Sequence, residues 1–171
     1  RLAFGHAIPT EEALDAIAKY GPIQEFGAGF GYWSMILKKR GVDIVAFDRD
    51  TKAATNHHLL QDANPDFVTQ VDGFDNLCED RALMLSWPYS EEYGKRDGGK
   101  APWDTEILKS YQGSHVIYIG DWPSKGVGMV APECCSQRFL DILEKDWRVV
   151  EHVVLPHWPQ SPNDLFVLER Q

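Results

Sequence analysis

The sequence predicts a single α/β domain, residues 1–171, built on a doubly wound sheet of seven strands with an antiparallel C-terminal strand. Three observations carry that expectation. Strand-like and helix-like segments alternate through the first five strands, which implies parallel crossovers. The last two strands, at 147–155 and 164–170, are joined by the short stretch 156–163 and must therefore pair antiparallel at or near an edge. Residues 23–31 read Ile-Gln-Glu-Phe-Gly-Ala-Gly-Phe-Gly, a glycine-rich turn between a strand and a helix.

Taken in order, Thr10 is placed to cap a helix with Glu11 and Glu12 in its first turn and Leu14, Ile17 and Ala18 on its apolar stripe. Gly21-Pro22 ends it. A strand at 22–26 runs into the glycine turn, and a helix over 32–40 finishes in Lys38, Lys39, Arg40 and Gly41. Next come a strand at 43–48, a helix over 51–61, a turn at Asn64-Pro65, a strand at 67–71 and a compact buried strand at 82–86. The 18 residues from Trp87 to Asp104 are polar and irregular, longer than an ordinary connection, and read as a lid. Asp104 is placed to cap a short helix reaching Tyr111, and a strand at 114–119 follows. A second irregular stretch at 120–133 holds Gly120, Gly126 and Gly128, and a helix at 135–145 leads to the terminal strands. The chain has no internal repeat and no domain linker.

The most informative string is Glu25, Gly27, Gly29 and Gly31, spaced E-x-G-x-G-x-G. Without a Cβ, glycine lets the backbone approach a ligand and turn through positive φ. The helix beginning at Tyr32 aims unpaired N–H groups at that turn. Asp48 ends the next strand, 21 positions after Gly27, where a carboxylate can accept hydrogen bonds from ribose hydroxyls. Together they point to a nucleoside-bearing ligand. The dinucleotide pattern G-x-G-x-x-G would need glycine where Tyr32 stands, and little chain remains for a second nucleotide-binding half. NAD is thus the second-choice ligand.

Composition excludes several classes. A net charge of −9 disfavours autonomous nucleic-acid binding. No run approaches the ~18 apolar residues of a membrane span. Three cysteines make no disulfide framework and point to a reducing compartment, the cytoplasm. A chain that starts at Arg1 leaves room for a removed organellar targeting segment. No metal is expected: His57-His58 on a helix point apart, Cys134-Cys135 is poorly spaced for chelation, and Cys78 and Cys134 read as structural thiols. His6 reads by default as a solvent-exposed histidine.

Glu25, Gly27, Gly29 and Gly31 resemble motif I of the class I S-adenosylmethionine-dependent methyltransferases, a Rossmann-like fold with the element order read above. More narrowly, GAGFGYW, LMLSWPY and LPHWP resemble a methyltransferase-like subgroup that supplies a fold and a cofactor but no acceptor. The resemblance implies S-adenosyl-L-methionine as cofactor. Gly27, Ala28, Gly29 and Gly31 would wrap its methionine part, with Glu25 shaping the loop and anchoring its ammonium. Asp48 would hold the ribose, and Asp72 either contacts the adenine amino group or is a polar turn residue beside Gly73. Substituting Gly29 or Gly31 by alanine is expected to clash with the ligand more than it harms folding.

Ser86, Trp87, Pro88 and Tyr89 resemble the Asp/Asn/Ser-Pro-Pro-aromatic motif of amino-methyltransferases. There the polar side chain and a backbone carbonyl accept hydrogen bonds from the target amine, and the aromatic stacks on it. Ser86 also borders the cofactor. Trp87 replaces the first proline, which frees the backbone; otherwise Trp87 and Tyr89 cover the cofactor or core. Asp121 faces the carboxyl edge of the sheet as a base or orienting group, or caps the following loop. The implied function is methyl transfer to an unknown acceptor. A small molecule or protein side chain suits the acidic surface, with N-methylation of a base or amide open and with Lys95, Arg96 and Lys100 as local positive charge. The competing reading is a non-catalytic subunit that docks a protein partner through exposed Trp103, Trp122 and Trp158.

Overall fold

Thr10 starts the first helix, accepting the Ala13 N–H on Oγ1 at 3.1 Å, and α1 runs Glu11–Ala18. The computed structural model describes residues 7–49, 51, 67–88, 103–128, 132, 134–159 and 161–171. The helix expected over 51–61 with His57 and His58, together with His6, Tyr89, Lys95, Arg96 and Lys100, lies outside the described residues.

Among the described residues the strands are β1 (Ile23–Phe26), β2 (Ile44–Asp48), β3 (Val68–Gln70), β4 (Ala82–Ser86), β5 (His115–Gly120), β6 (Trp147–Val154) and β7 (Asp164–Arg170). They form one seven-stranded sheet in the order β3-β2-β1-β4-β5-β7-β6. The first five are parallel, with Ile23 opposite both Ile44 and Ala82. β7 runs antiparallel to β5 and β6, and the β6–β7 pairing shifts register between Val149 and Glu151. The chain order reverses between β1 and β4, where open α/β sheets leave a crevice beyond their carboxyl ends.

Helix α2 spans Tyr32–Lys39, α3 spans Trp103–Ser110 and α4 spans Gln137–Asp146. Buried strand residues alternate between two apolar layers. Ile23, Ile44, Ala82, Met84 and Ile117 pack with Leu14, Ile17 and Leu37 on one face. Phe26, Phe47, Leu83, Leu85 and Tyr118 pack with Ile107, Leu108, Phe139 and Leu143 on the other. Helices on both faces explain why β4 reads as a continuous apolar run.

Asp104 does not cap α3 as its position suggested. It lies inside the first turn, fully buried, and reaches the start of α4. Its carboxylate accepts the Ser136 N–H at 2.7 Å and the Thr105 N–H at 2.6 Å, with both hydroxyls at 3.1 Å. Ser136 in turn caps α4 by accepting the Phe139 N–H at 3.2 Å. Asp104→Ala would leave those buried donors without an acceptor, a loss of about 2–4 kcal/mol. Urea denaturation of the variant checks this, and an unchanged midpoint would refute the role.

Candidate active site

The carboxyl ends of β1, β2, β4 and β5 share one edge of the sheet, because these strands are parallel. The glycine turn crosses that edge between β1 and α2. Gly27, Gly29 and Gly31 have φ of 70°, 55° and 65°, the left-handed region that L side chains avoid. Asp48, at the end of β2, accepts the Gly29 N–H on Oδ2 at 2.7 Å. The Ala28 N–H also bonds the neighbouring Phe47 carbonyl at 3.0 Å. The turn and the acid are thus a single hydrogen-bonded unit across two strand ends.

Glu25 sits beneath this turn, 2% exposed, and accepts the hydroxyl proton of Ser34 from α2. Burial pushes its carboxyl up to about 7, partly offset by the Ser34 bond and reinforced by the negative charge of Asp48. Ser34 was not among the residues expected from the sequence. A serine one turn into the helix after a motif acid carries no spacing signal of its own.

The three glycines differ in what surrounds them. A Cβ on Gly29 would meet nothing within 4 Å. One on Gly31 would lie 2.8 Å from Val68 Cγ2 and 3.0 Å from Phe67 Cδ1. One on Gly27 would lie 2.8 Å from Trp103 Cη2, whose indole covers that glycine. The expectation that alanine at Gly31 clashes chiefly with ligand is therefore corrected, since it clashes with the protein itself. Asp72 lies just past β3 and is exposed.

Ser86 ends β4, half-buried, and Pro88 is buried. Trp87 has φ of 54°, and its N–H bonds the Ile119 carbonyl at 2.9 Å. Proline is held near φ of about −65° and has no N–H, so no proline fits here. Trp87 is thus a different backbone turn rather than a loosened copy of the Pro-Pro motif. Its indole Nε1–H donates to Asn163 Oδ1 at 2.5 Å, and buried Asn163 donates from Nδ2 to the Ser161 carbonyl at 2.8 Å. This link from the β6–β7 connection to the end of β4 had no sequence signal, because 76 residues separate its partners.

Asp121 is only 4% exposed. Its Oδ1 accepts the Cys134 thiol at 2.7 Å, and its own N–H points at Cys134 Sγ at 3.2 Å. It is drawn into the protein rather than presented at the edge. Trp122 is likewise corrected as an exposed anchor: it is 1% exposed, donates Nε1–H to Glu144 at 2.9 Å and packs edge-on to Phe166. Trp103 and Trp158 are half-buried. No helix among the described residues is long and apolar enough to cross a membrane.

No family model matches the sequence, and no curated protein does. Solved structures do share its shape. The tRNA (uracil-54, C5)-methyltransferase of Pyrococcus abyssi, in complex with S-adenosyl-L-homocysteine, matches over 94% of this chain at 16% identity with a TM-score of 0.53. This chain spans only 37% of that protein. A glycopeptide N-methyltransferase complexed with S-adenosyl-L-homocysteine matches over 98% of this chain and 92% of its own, at 13% identity and a TM-score of 0.53. The magnesium protoporphyrin IX methyltransferase of Synechocystis PCC 6803, also with S-adenosyl-L-homocysteine bound, matches over 94% of this chain and 82% of its own, at 11% identity and a TM-score of 0.51. The seven-stranded sheet with its reversed terminal strand is therefore the fold of the class I S-adenosylmethionine-dependent methyltransferases.

Proposed function

We propose that this chain is an S-adenosylmethionine-dependent methyltransferase. The observation that carries the reading is the bond between the Gly29 N–H and Asp48, which joins the glycine turn to an acid at the end of β2. Backbone at Gly27, Ala28, Gly29 and Gly31 would line the methionine part of the cofactor. Asp48 would accept from the ribose hydroxyls, Asp72 would meet the adenine edge, and Glu25 would anchor the ammonium. The cofactor supplies the methyl group, and the protein's contribution is to hold an acceptor in line with it.

Ser86 and Trp87 form the acceptor side of this reading, with Trp87 held by Asn163. Asp121 takes no part in this reading, because its buried Oδ1 is engaged by Cys134. The matched structures carry names with tRNA, glycopeptide and porphyrin acceptors, so the shared fold does not select one. An acidic chain favours a small molecule or protein side chain over free RNA.

Titration calorimetry with S-adenosyl-L-methionine, S-adenosyl-L-homocysteine and NAD tests the reading. Binding of the first two and not the third is expected. Heat with neither, and no thermal shift at millimolar ligand, would leave the non-catalytic subunit as the better account.

A further inference from the structure

Beside β5 lies a cluster that the proposed reaction does not use. Cys134 and Cys135 are adjacent, and neighbours in an extended chain point to opposite sides. Here the chain bends, and both thiols come within reach of one phenol: Tyr118 Oη is 3.1 Å from Cys134 Sγ and 3.2 Å from Cys135 Sγ. Asp121 closes the group, and its carboxylate oxygen and the two sulfurs all lie within 4.8 Å of one another. Exposures are 0% for Tyr118 and Cys134, 1% for Cys135 and 4% for Asp121.

We propose that Cys134 Sγ, Cys135 Sγ and the Asp121 carboxylate, completed by the Tyr118 hydroxyl, form a structural zinc site that ties the end of β5 to the start of α4. Two sulfurs with two oxygens suit a borderline-soft, tetrahedral ion better than magnesium or calcium. Donor atoms around such an ion stand about 3.5–4 Å apart, given metal–ligand distances of about 2.0–2.3 Å. The hydrogen-bonded separations of 2.7, 3.1 and 3.2 Å and the 4.8 Å limit on the rest bracket that spacing, so modest shifts admit the ion in place of the thiol protons. Binding is balanced as two thiols losing two protons to solvent and zinc shedding its bound water, while two sulfur–zinc and two oxygen–zinc bonds form and the phenol keeps its proton.

With Asp121 ionised and the phenol neutral, the filled site carries one net negative charge. Two features of the fold offset it. The Asp121 N–H already points at Cys134 Sγ at 3.2 Å. The two cysteines also immediately precede Ser136, the N-cap of α4, so the positive end of the helix dipole faces them. A closed site of this kind contributes to folding rather than to chemistry.

The protein is purified without chelator, assayed for metal by emission spectrometry, then stripped and titrated with Co2+ and Zn2+. One zinc per chain is expected, with thiolate-to-cobalt charge-transfer bands, a raised melting temperature on zinc addition, and protection of two thiols from a thiol reagent. Cys78→Ser should keep the metal, whereas Cys134→Ser/Cys135→Ser should lose it. If that double variant fails to fold, Asp121→Asn, which keeps the shape but not the charge, should still show weaker cobalt binding. Wild-type protein that takes up neither ion, or binds it without thiolate bands, overturns the proposal. Full metal occupancy in the folded double cysteine variant overturns it equally.

Discussion

Gly29→Ala is expected to remove binding of S-adenosyl-L-methionine while leaving the protein folded. A Cβ at Gly29 meets nothing within 4 Å, so the cost to folding is that of holding alanine at φ 55°, about 1–2 kcal/mol. The same Cβ would stand in the open space in front of the turn, where the proposed cofactor's methionine part would lie. Gly31→Ala makes the contrast. Its Cβ would press on Val68 and Phe67 at a φ of 65°, so it should cost about 2–5 kcal/mol from overpacking plus backbone strain. Paired calorimetry and thermal melts separate the two variants. A folded Gly29→Ala protein with wild-type affinity would remove the glycine turn from the cofactor site.

The second large effect is a pH dependence centred on Glu25. Burial raises its carboxyl from the ordinary 4.5 to about 7. Between those values the folded protein keeps a proton that the unfolded chain releases, so stability falls as pH rises. The stabilisation relative to high pH is fully present below pH 4.5 and is lost as pH passes 7. A difference of this size amounts to about 3 kcal/mol. Glu25→Gln cannot ionise, and its stability should exceed the wild type's at pH 8 by about that amount while matching it near pH 4. Parallel urea titrations across this range read the difference, and superimposable profiles would show that Glu25 ionises normally. Cofactor binding should run the other way. A cationic ammonium favours the carboxylate, so affinity should drop about tenfold per unit below pH 7 and binding there should release a proton to buffer.

Much of this protein was legible from short-range pattern. Thr10 caps its helix because a hydroxyl at the N-cap satisfies a donor three residues on. The alternation of elements specified a parallel sheet, and the short 156–163 connection specified the reversed strand, because each depends on chain length and handedness alone. The turn of Gly27, Gly29 and Gly31 and its partner Asp48 were visible for the same reason: glycine spacing and strand length set where they meet.

What the tertiary structure alone decided lies between residues far apart in sequence. Trp87 takes a backbone conformation that proline cannot, and Asn163 holds it across the sheet edge. Asp121 turns inward to Cys134, whereas the β5 end alone left open whether it oriented a substrate or capped the following loop. Cys134 and Cys135 converge on Tyr118 because the chain bends at them, although adjacent residues ordinarily diverge. Trp122 is core because α4 and β7 close over it, and hydrophobicity alone does not say which tryptophan will be covered. Local propensity and spacing act over one turn of helix or one strand. Burial and cross-sheet hydrogen bonds depend on which surfaces the packed layers bring together, and that information is absent from any window of the chain.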